Sequence, residues 1–238
     1  MGLEIARNSV SLHLSQHKYT LDLLHETGML ESAPVTTPMT HTSRLSPNQC
    51  SPLDADATSQ YRILLGRLIY LTNTRPDIAF VVHNLSQFIF APTTHHQQAV
   101  SRLLRYFKGT PSEGLYFSHT SSLHLYGYGD SDCETCPTTH KFVTGYSIYL
   151  GDTLISWKSK KQPTISRISS EVEYRALATT TCELQWLSYL LQDLHLPLSH
   201  PATLYCGKKS ALEIASNQVF HEHTKHIEID YHLVREKT

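Results

Sequence analysis

Tyr126-Gly127-Tyr128-Gly129-Asp130-Ser131-Asp132 alternates aromatic residues with glycines and ends in acid. A period of two is what a strand shows when its faces meet different surroundings. The stretch therefore predicts a short strand with Asp130 at its end, on the face of Tyr126 and Tyr128. Asp132 lies two residues further, in the following loop, and competes for any role. A second acidic signal follows at Ser169-Ser170-Glu171-Val172-Glu173-Tyr174, where the period becomes helical. Glu173, Leu177, Leu184, Leu187 and Leu191 fall on one helix face, so Glu173 sits at the N-terminal end of a buried stripe aimed at the sheet. A carboxylate there is costly unless paired, hydrogen-bonded or bound to metal. Ser170-x-x-Glu173 also fits a capping box, and Asp130 also fits a turn-forming aspartate. What favours chemistry is the combination: two carboxylates on adjoining elements are the start of a magnesium site, since hard cations take oxygen ligands.

The strand's neighbours set the fold class. Phe142–Leu150 is rich in β-branched and aromatic residues, Gly151-Asp152 is a turn signal, and Thr153–Trp157 continues as a third strand. A long helix spans about residues 169–195, then come a strand at Thr203–Cys206 and helical stretches at about 209–217 and 224–237. Three meandering strands before the first helix predict an α/β chain with a mixed sheet rather than a doubly wound one. Lys158, Lys160 and Lys161 flank Trp157 at the third strand's end. A basic cluster beside an aromatic suits a nucleic-acid backbone; it equally suits an edge strand blunted by lysines.

Upstream, residues 2–14 read as a strand or hairpin, followed by a helix carrying Tyr19, Leu23 and Leu24 and closed by Gly28. Residues 31–57 hold Pro34, Pro38, Pro47 and Pro52 among serines and threonines and read as an extended linker or surface loop marking a boundary. Residues 58–109 carry three helical patterns. On the last, Arg102, Arg105 and Lys108 recur at steps of three, as a solvated face or a phosphate-backbone contact.

Composition bounds these readings. The 238 residues carry a net charge of −1, with 40 % apolar and 17 % charged residues, so a nucleic-acid reading rests on local patches. Sixteen histidines are scattered rather than set at ligand spacings. Five cysteines at uneven spacing do not form a disulfide framework. Cys133-x-x-Cys136 has only His140 nearby as a further zinc ligand. There is no secretory signal and no apolar run near ~18 residues, which gives a cytoplasmic or nuclear protein as the expectation.

Several longer words carry a resemblance. Gly66-Arg67-Leu68-Ile69-Tyr70-Leu71, Thr74-Arg75-Pro76-Asp77-Ile78, Leu104-Arg105-Tyr106-Phe107-Lys108-Gly109-Thr110, the run Ile155–Thr164 and Thr224-Lys225-His226-Ile227-Glu228-Ile229-Asp230 occur in one order. Together they resemble the C-terminal part of the Pol polyprotein of copia-type LTR retrotransposons over nearly the whole chain. The resemblance implies the end of a reverse transcriptase at residues 1–30, the linker at 31–57, a helical thumb- or connection-like region at 58–112 and an RNase H-like domain at 113–238, C-terminally truncated. Such a domain cleaves the RNA strand of an RNA–DNA hybrid using two Mg²⁺ ions held by four carboxylates. Asp130 matches the first carboxylate and Glu173 the second. The third belongs in a Tyr-Cys-Asp-Asn word that here reads Tyr205-Cys206-Gly207-Lys208: a ligand oxygen is lost and a positive charge is added. Asp230 is one candidate for the fourth; the other is an Ala-Asp word that the family carries further downstream. Cys133 stands where the family has Trp. No Asp-Asp dipeptide occurs, so the polymerase carboxylate pair is absent from this chain. The expectation is a Pol fragment with an impaired RNase H-like domain. A non-catalytic nucleic-acid-binding module and a pseudogene product without a folded role are the alternatives.

Overall fold

Two units divide the chain, Met1–His119 and Thr120–Thr238. The structure, a computed structural model, describes residues 2–40, 45–46, 50–132, 142–162 and 169–207, except the side chains of Asp132 and of residues 169–171.

The first unit pairs a small sheet with a helical core. Its strands are β1 (Glu4–Arg7), β2 (Ser11–Ser15) and β3 (Gly114–Ser118), antiparallel in the order β1-β2-β3. Its helices are α1 (His17–Glu26), α2 (Ala55–Leu71), α3 (Ala79–Ser86) and α4 (Thr94–Gly109), with a 3₁₀ turn at Pro76–Ile78. Each helical period read from the sequence supplies the core: Leu23, Leu24, Leu65, Leu68, Leu71, Leu85, Leu103 and Phe107 are fully buried together. Gly28 takes φ +66° after α1, the left-handed cap that only glycine adopts cheaply.

Two expected boundaries move. Leu115 pairs with Leu14 across β2 and β3, so residues 113–119 belong with the first unit and the division falls after His119. The Pro/Ser/Thr-rich stretch does not separate domains either. Met39, Leu45 and Leu53 pack on the helical core, the Val35 N–H donates to the Arg105 carbonyl at 3.3 Å and the Leu53 N–H to the Pro92 carbonyl at 3.0 Å. Residues 55–57 already form the first turn of α2, capped by Asp54, whose carboxylate accepts from the Ala57 N–H at 2.8 Å.

Arg75, only 2 % exposed, ties the start of α3 to the end of α4. It donates from Nε and Nη2 to the Asp77 carboxylate at 2.9 and 2.7 Å, and to the Thr110 carbonyl and hydroxyl at 2.7 and 2.8 Å. Its guanidinium lies 5.5 Å from the Tyr106 ring centre and 5.1 Å from that of Phe107. Burial pushes the Asp77 carboxyl up, but the Arg75 guanidinium and the Tyr106 hydroxyl outweigh it and hold the group below its usual range.

At the other end of α4, His96 is fully buried. Its Nδ1 accepts from the Thr93 N–H at 2.9 Å, and its ring stacks on Phe88. Burial, then the nearby His95, lowers its pKa to about 4. An unfolded histidine titrates near 6.5, so between those values the unfolded chain binds a proton that the folded chain refuses. The contribution is present above pH 6.5 and is lost as pH falls through about 4, a span worth on the order of 3 kcal/mol. Urea midpoints at pH 7 and pH 4.5 are expected to differ in the parent by more than in His96→Leu; equal pH dependence in both sinks this assignment.

The second unit holds β4 (Leu125–Asp132), β5 (Val143–Leu150), β6 (Thr153–Lys161), α5 (Ser169–Asp193) and β7 (Thr203–Cys206). The sheet order is β6-β5-β4-β7, with β7 parallel to β4 and the other pairs antiparallel. This is the mixed sheet of an RNase H-like fold. The two-residue turn after β5 needs Gly151, at φ +57°, where a Cβ would stand 2.0 Å from Ser121 Oγ. The glycines of β4 have a different purpose. A Cβ on Gly129 would lie 2.5 Å from Thr180 Oγ1, and one on Gly127 would lie 3.1 Å from Ile148 Cγ1. They let α5 lie directly on the strand.

Candidate metal and nucleic-acid site

Alternation along β4 decides which residues can meet. Leu125, Gly127, Gly129 and Ser131 are buried, and the two glycines face α5. Tyr126, Tyr128 and Asp130 take the other face. Asp130 is exposed there, with Oδ1 accepting from the Ser131 N–H at 2.8 Å. β7 runs beside it: Gly129 pairs with Cys206, so in parallel register Gly207 is the residue next to Asp130. A Cβ built on Gly207 meets nothing within 4 Å.

Glu173 approaches from the other side. All five residues of its predicted stripe are buried: Glu173 at 1 % exposure, Leu177, Leu184, Leu187 and Leu191. Gly127 meets Thr180 and Leu184, and Gly129 meets Thr180 and Ala176, so Glu173, earlier on the helix, comes toward the Asp130 end of β4 from the α5 side. Among the described residues no group of three or more His, Cys, Asp or Glu side chains could hold a metal ion. The described side chains therefore do not fit a two-ion, four-carboxylate centre. Asp230, Lys208, Cys133, Cys136 and His140 lie outside the described residues, as do the side chains of Asp132 and Ser170.

The basic residues divide among several surroundings. Lys158 and Lys160 are exposed on β6 and pair with Tyr146 and Thr144, which puts them on the α5 side. With Thr144, Tyr146, Gln162 and Thr179 they line a cleft of about 140 Å³, braced by the Gln162 amide donating to the Thr144 hydroxyl at 2.6 Å. Trp157 pairs with Ser147 and so takes the tyrosine face, half-buried; Lys161 is half-buried too. In the first unit Arg102 Nη2 donates to the Thr37 hydroxyl at 2.8 Å and Arg105 Nε to the Ala33 carbonyl at 2.7 Å. Each guanidinium thereby ties the proline-rich stretch to α4 through one of its N–H groups. Lys108 is half-buried in the last turn of α4.

Sequence reasoning missed two features. Tyr126 stacks on Tyr149 at 5.3 Å and Tyr128 on Tyr205 at 5.0 Å, giving a four-tyrosine cluster on the face of Asp130. Its signal was the shared parity of these residues, legible once the strand order is known. The second is a tie between β6 and α5, where the Ser156 hydroxyl donates to Glu183 at 2.8 Å. Burial, and then Glu183, raise the Tyr146 phenol beside it.

Comparison with known proteins relates the sequence to a family. The chain is 44 % identical over 235 residues to the retrovirus-related Pol polyprotein from transposon RE1 of Arabidopsis thaliana, covering 99 % of this chain and 16 % of that protein. It is 35 % identical over 243 residues to the retrovirus-related Pol polyprotein from transposon TNT 1-94 of Nicotiana tabacum, covering 99 % of this chain and 18 % of that protein. An uncharacterized mitochondrial protein of Arabidopsis thaliana is 40 % identical over 188 residues, 79 % of this chain and 77 % of its own length. No family model matches the chain, and no solved structure matches it. The chain thus spans less than a fifth of the length of the two polyproteins. No helix among the described residues is long and apolar enough to cross a membrane.

Proposed function

Because the chain belongs to the family of retrovirus-related Pol polyproteins from copia-type transposons, we propose that its second unit is the RNase H-like part of such a polyprotein, able to engage an RNA–DNA hybrid but impaired in cleaving it. The observation that carries this reading is the neighbourhood of Asp130, on β4, and Gly207, the residue just past the end of the parallel strand β7. A carboxylate at position 207 would stand beside Asp130 in open space, on the same side of the sheet; glycine offers no ligand. Mg²⁺ in such a centre would activate water and steady the leaving oxygen of a phosphodiester. In this chain Asp130 and Glu173 are the two matched carboxylates, and no step is assigned to a metal that they alone would hold. Lys158 and Lys160, in their cleft, are the cations best placed to meet phosphates.

A labelled RNA–DNA hybrid with Mg²⁺ or Mn²⁺ tests this. The parent chain is expected to cleave weakly or not at all. Gly207→Asp is expected to cleave about 100-fold faster, the scale of restoring one electrostatic group to an active site, and Glu173→Gln is expected to abolish that gain. Parent activity that survives Glu173→Gln sinks the site assignment, and an unimproved Gly207→Asp shows that position 207 is not the deficit.

The second reading is a non-catalytic nucleic-acid-binding module, favoured by the exposed Lys158 and Lys160. In that case hybrid affinity falls with salt, and replacing both lysines by Gln lowers the log–log slope by about 2, with no cleavage in any variant.

A further inference from the structure

The C-terminal half of α5 is apolar on two sides. Leu184, Leu187 and Leu191 are buried against the sheet side. On the outer side Trp186, Tyr189 and Leu190 are 56 %, 52 % and 38 % exposed. Steps of three and four put them on one stripe, and Leu194, just past the helix end, extends it at 60 % exposure. A helix that is apolar all round is one whose surroundings bury it. Exposed patches of this kind mark interfaces, and Trp and Tyr are the residues that most often anchor them.

The charge pattern says what kind of surface would cover it. From Ala176 to Gly207 the sequence holds no lysine or arginine; its only charged residues are Glu183 and Asp193. A nucleic-acid backbone would find no cation there. A second copy brought face to face would set Asp193 and Glu183 against a like pair of acids. We propose that the outer stripe of α5 is a docking surface for a helix of another protein, one whose apolar face is flanked by lysine or arginine. Its apolar residues seat between Trp186 and Leu190, and its flanking cations answer Asp193 and Glu183.

The test uses the full chain carrying Trp157→Phe, so that Trp186 alone reports, and two synthetic helical peptides with the same leucine face, flanked by Lys in one and by Glu in the other. The Lys-flanked peptide is expected to shift Trp186 emission to the blue and to saturate, with at least tenfold weaker binding in Leu190→Lys. Tyr189→Lys serves as the second variant, and circular dichroism confirms that each is folded. Equal binding of both peptides, or binding undiminished in a folded variant, overturns the proposal. So does a concentration-dependent dimer that Leu190→Lys dissolves, which assigns the stripe to a second copy. Shielding of Trp186 from acrylamide in the monomer without peptide also overturns it and assigns the stripe to residues 208–238.

Discussion

Replacing Arg75 with methionine is expected to cost the first unit about 3–5 kcal/mol, the scale for removing one member of a buried ion pair. The side chain is 2 % exposed and its fork reaches two elements at once. Without it the Asp77 carboxylate loses its guanidinium, and the Thr110 carbonyl and hydroxyl lose their donors, each a buried or half-buried polar group left unmet. The carboxyl of Asp77 would then rise from its lowered position, because burial would no longer be opposed by Arg75. Arg75→Lys keeps the charge but not the fork, so it is expected to recover less than half of the loss. The measurement is a urea midpoint shift at unchanged m-value. An Arg75→Lys protein within about 1 kcal/mol of the parent would show that charge, not geometry, holds this corner.

The second large effect belongs to Gly129. Gly129→Ala places a Cβ 2.5 Å from Thr180 Oγ1, 3.3 Å from its Cβ and 3.4 Å from the Ala176 carbonyl oxygen. Thr180 is fully buried and its hydroxyl donates to that carbonyl at 2.7 Å, so it has nowhere to turn. The helix must back away from the strand, at a cost of about 2–3 kcal/mol by the usual scale of overpacking. Gly129→Ala combined with Thr180→Ala is expected to recover part of the loss, since the crowded oxygen is gone; strict additivity of the two substitutions would refute direct contact as the cause. Gly207→Ala, with nothing within 4 Å of its Cβ, is the control and should be near neutral.

These sites show how far the sequence could be read. The period of two at Tyr126–Asp130 and the stripe from Glu173 to Leu191 were legible because each records one face buried and one not. The Gly151-Asp152 turn was legible because glycine supplies a conformation other residues avoid. β3 was not, since its pairing with β2 joins Leu14 to Leu115, and a short alternating run fits either sheet equally well. The anchoring of the loop at 31–57 was hidden for a related reason. Two of its anchors are backbone hydrogen bonds, from Val35 and Leu53, which leave no mark on side-chain composition. Arg102 and Arg105 stand at a polar spacing that carries no sign of their bonds to Thr37 and Ala33.

The pinned loop has a consequence for the covalent integrity of the first unit. Its N-terminal side is held to α4 at Ala33, Val35 and Thr37, and its C-terminal side at Leu53. Leu23 and Leu24 of α1 share one buried cluster with α2 and α4. A protease that nicks the backbone between these anchors would therefore yield two pieces on a denaturing gel that still elute as one particle. The same two pieces, expressed separately, would be complementing fragments.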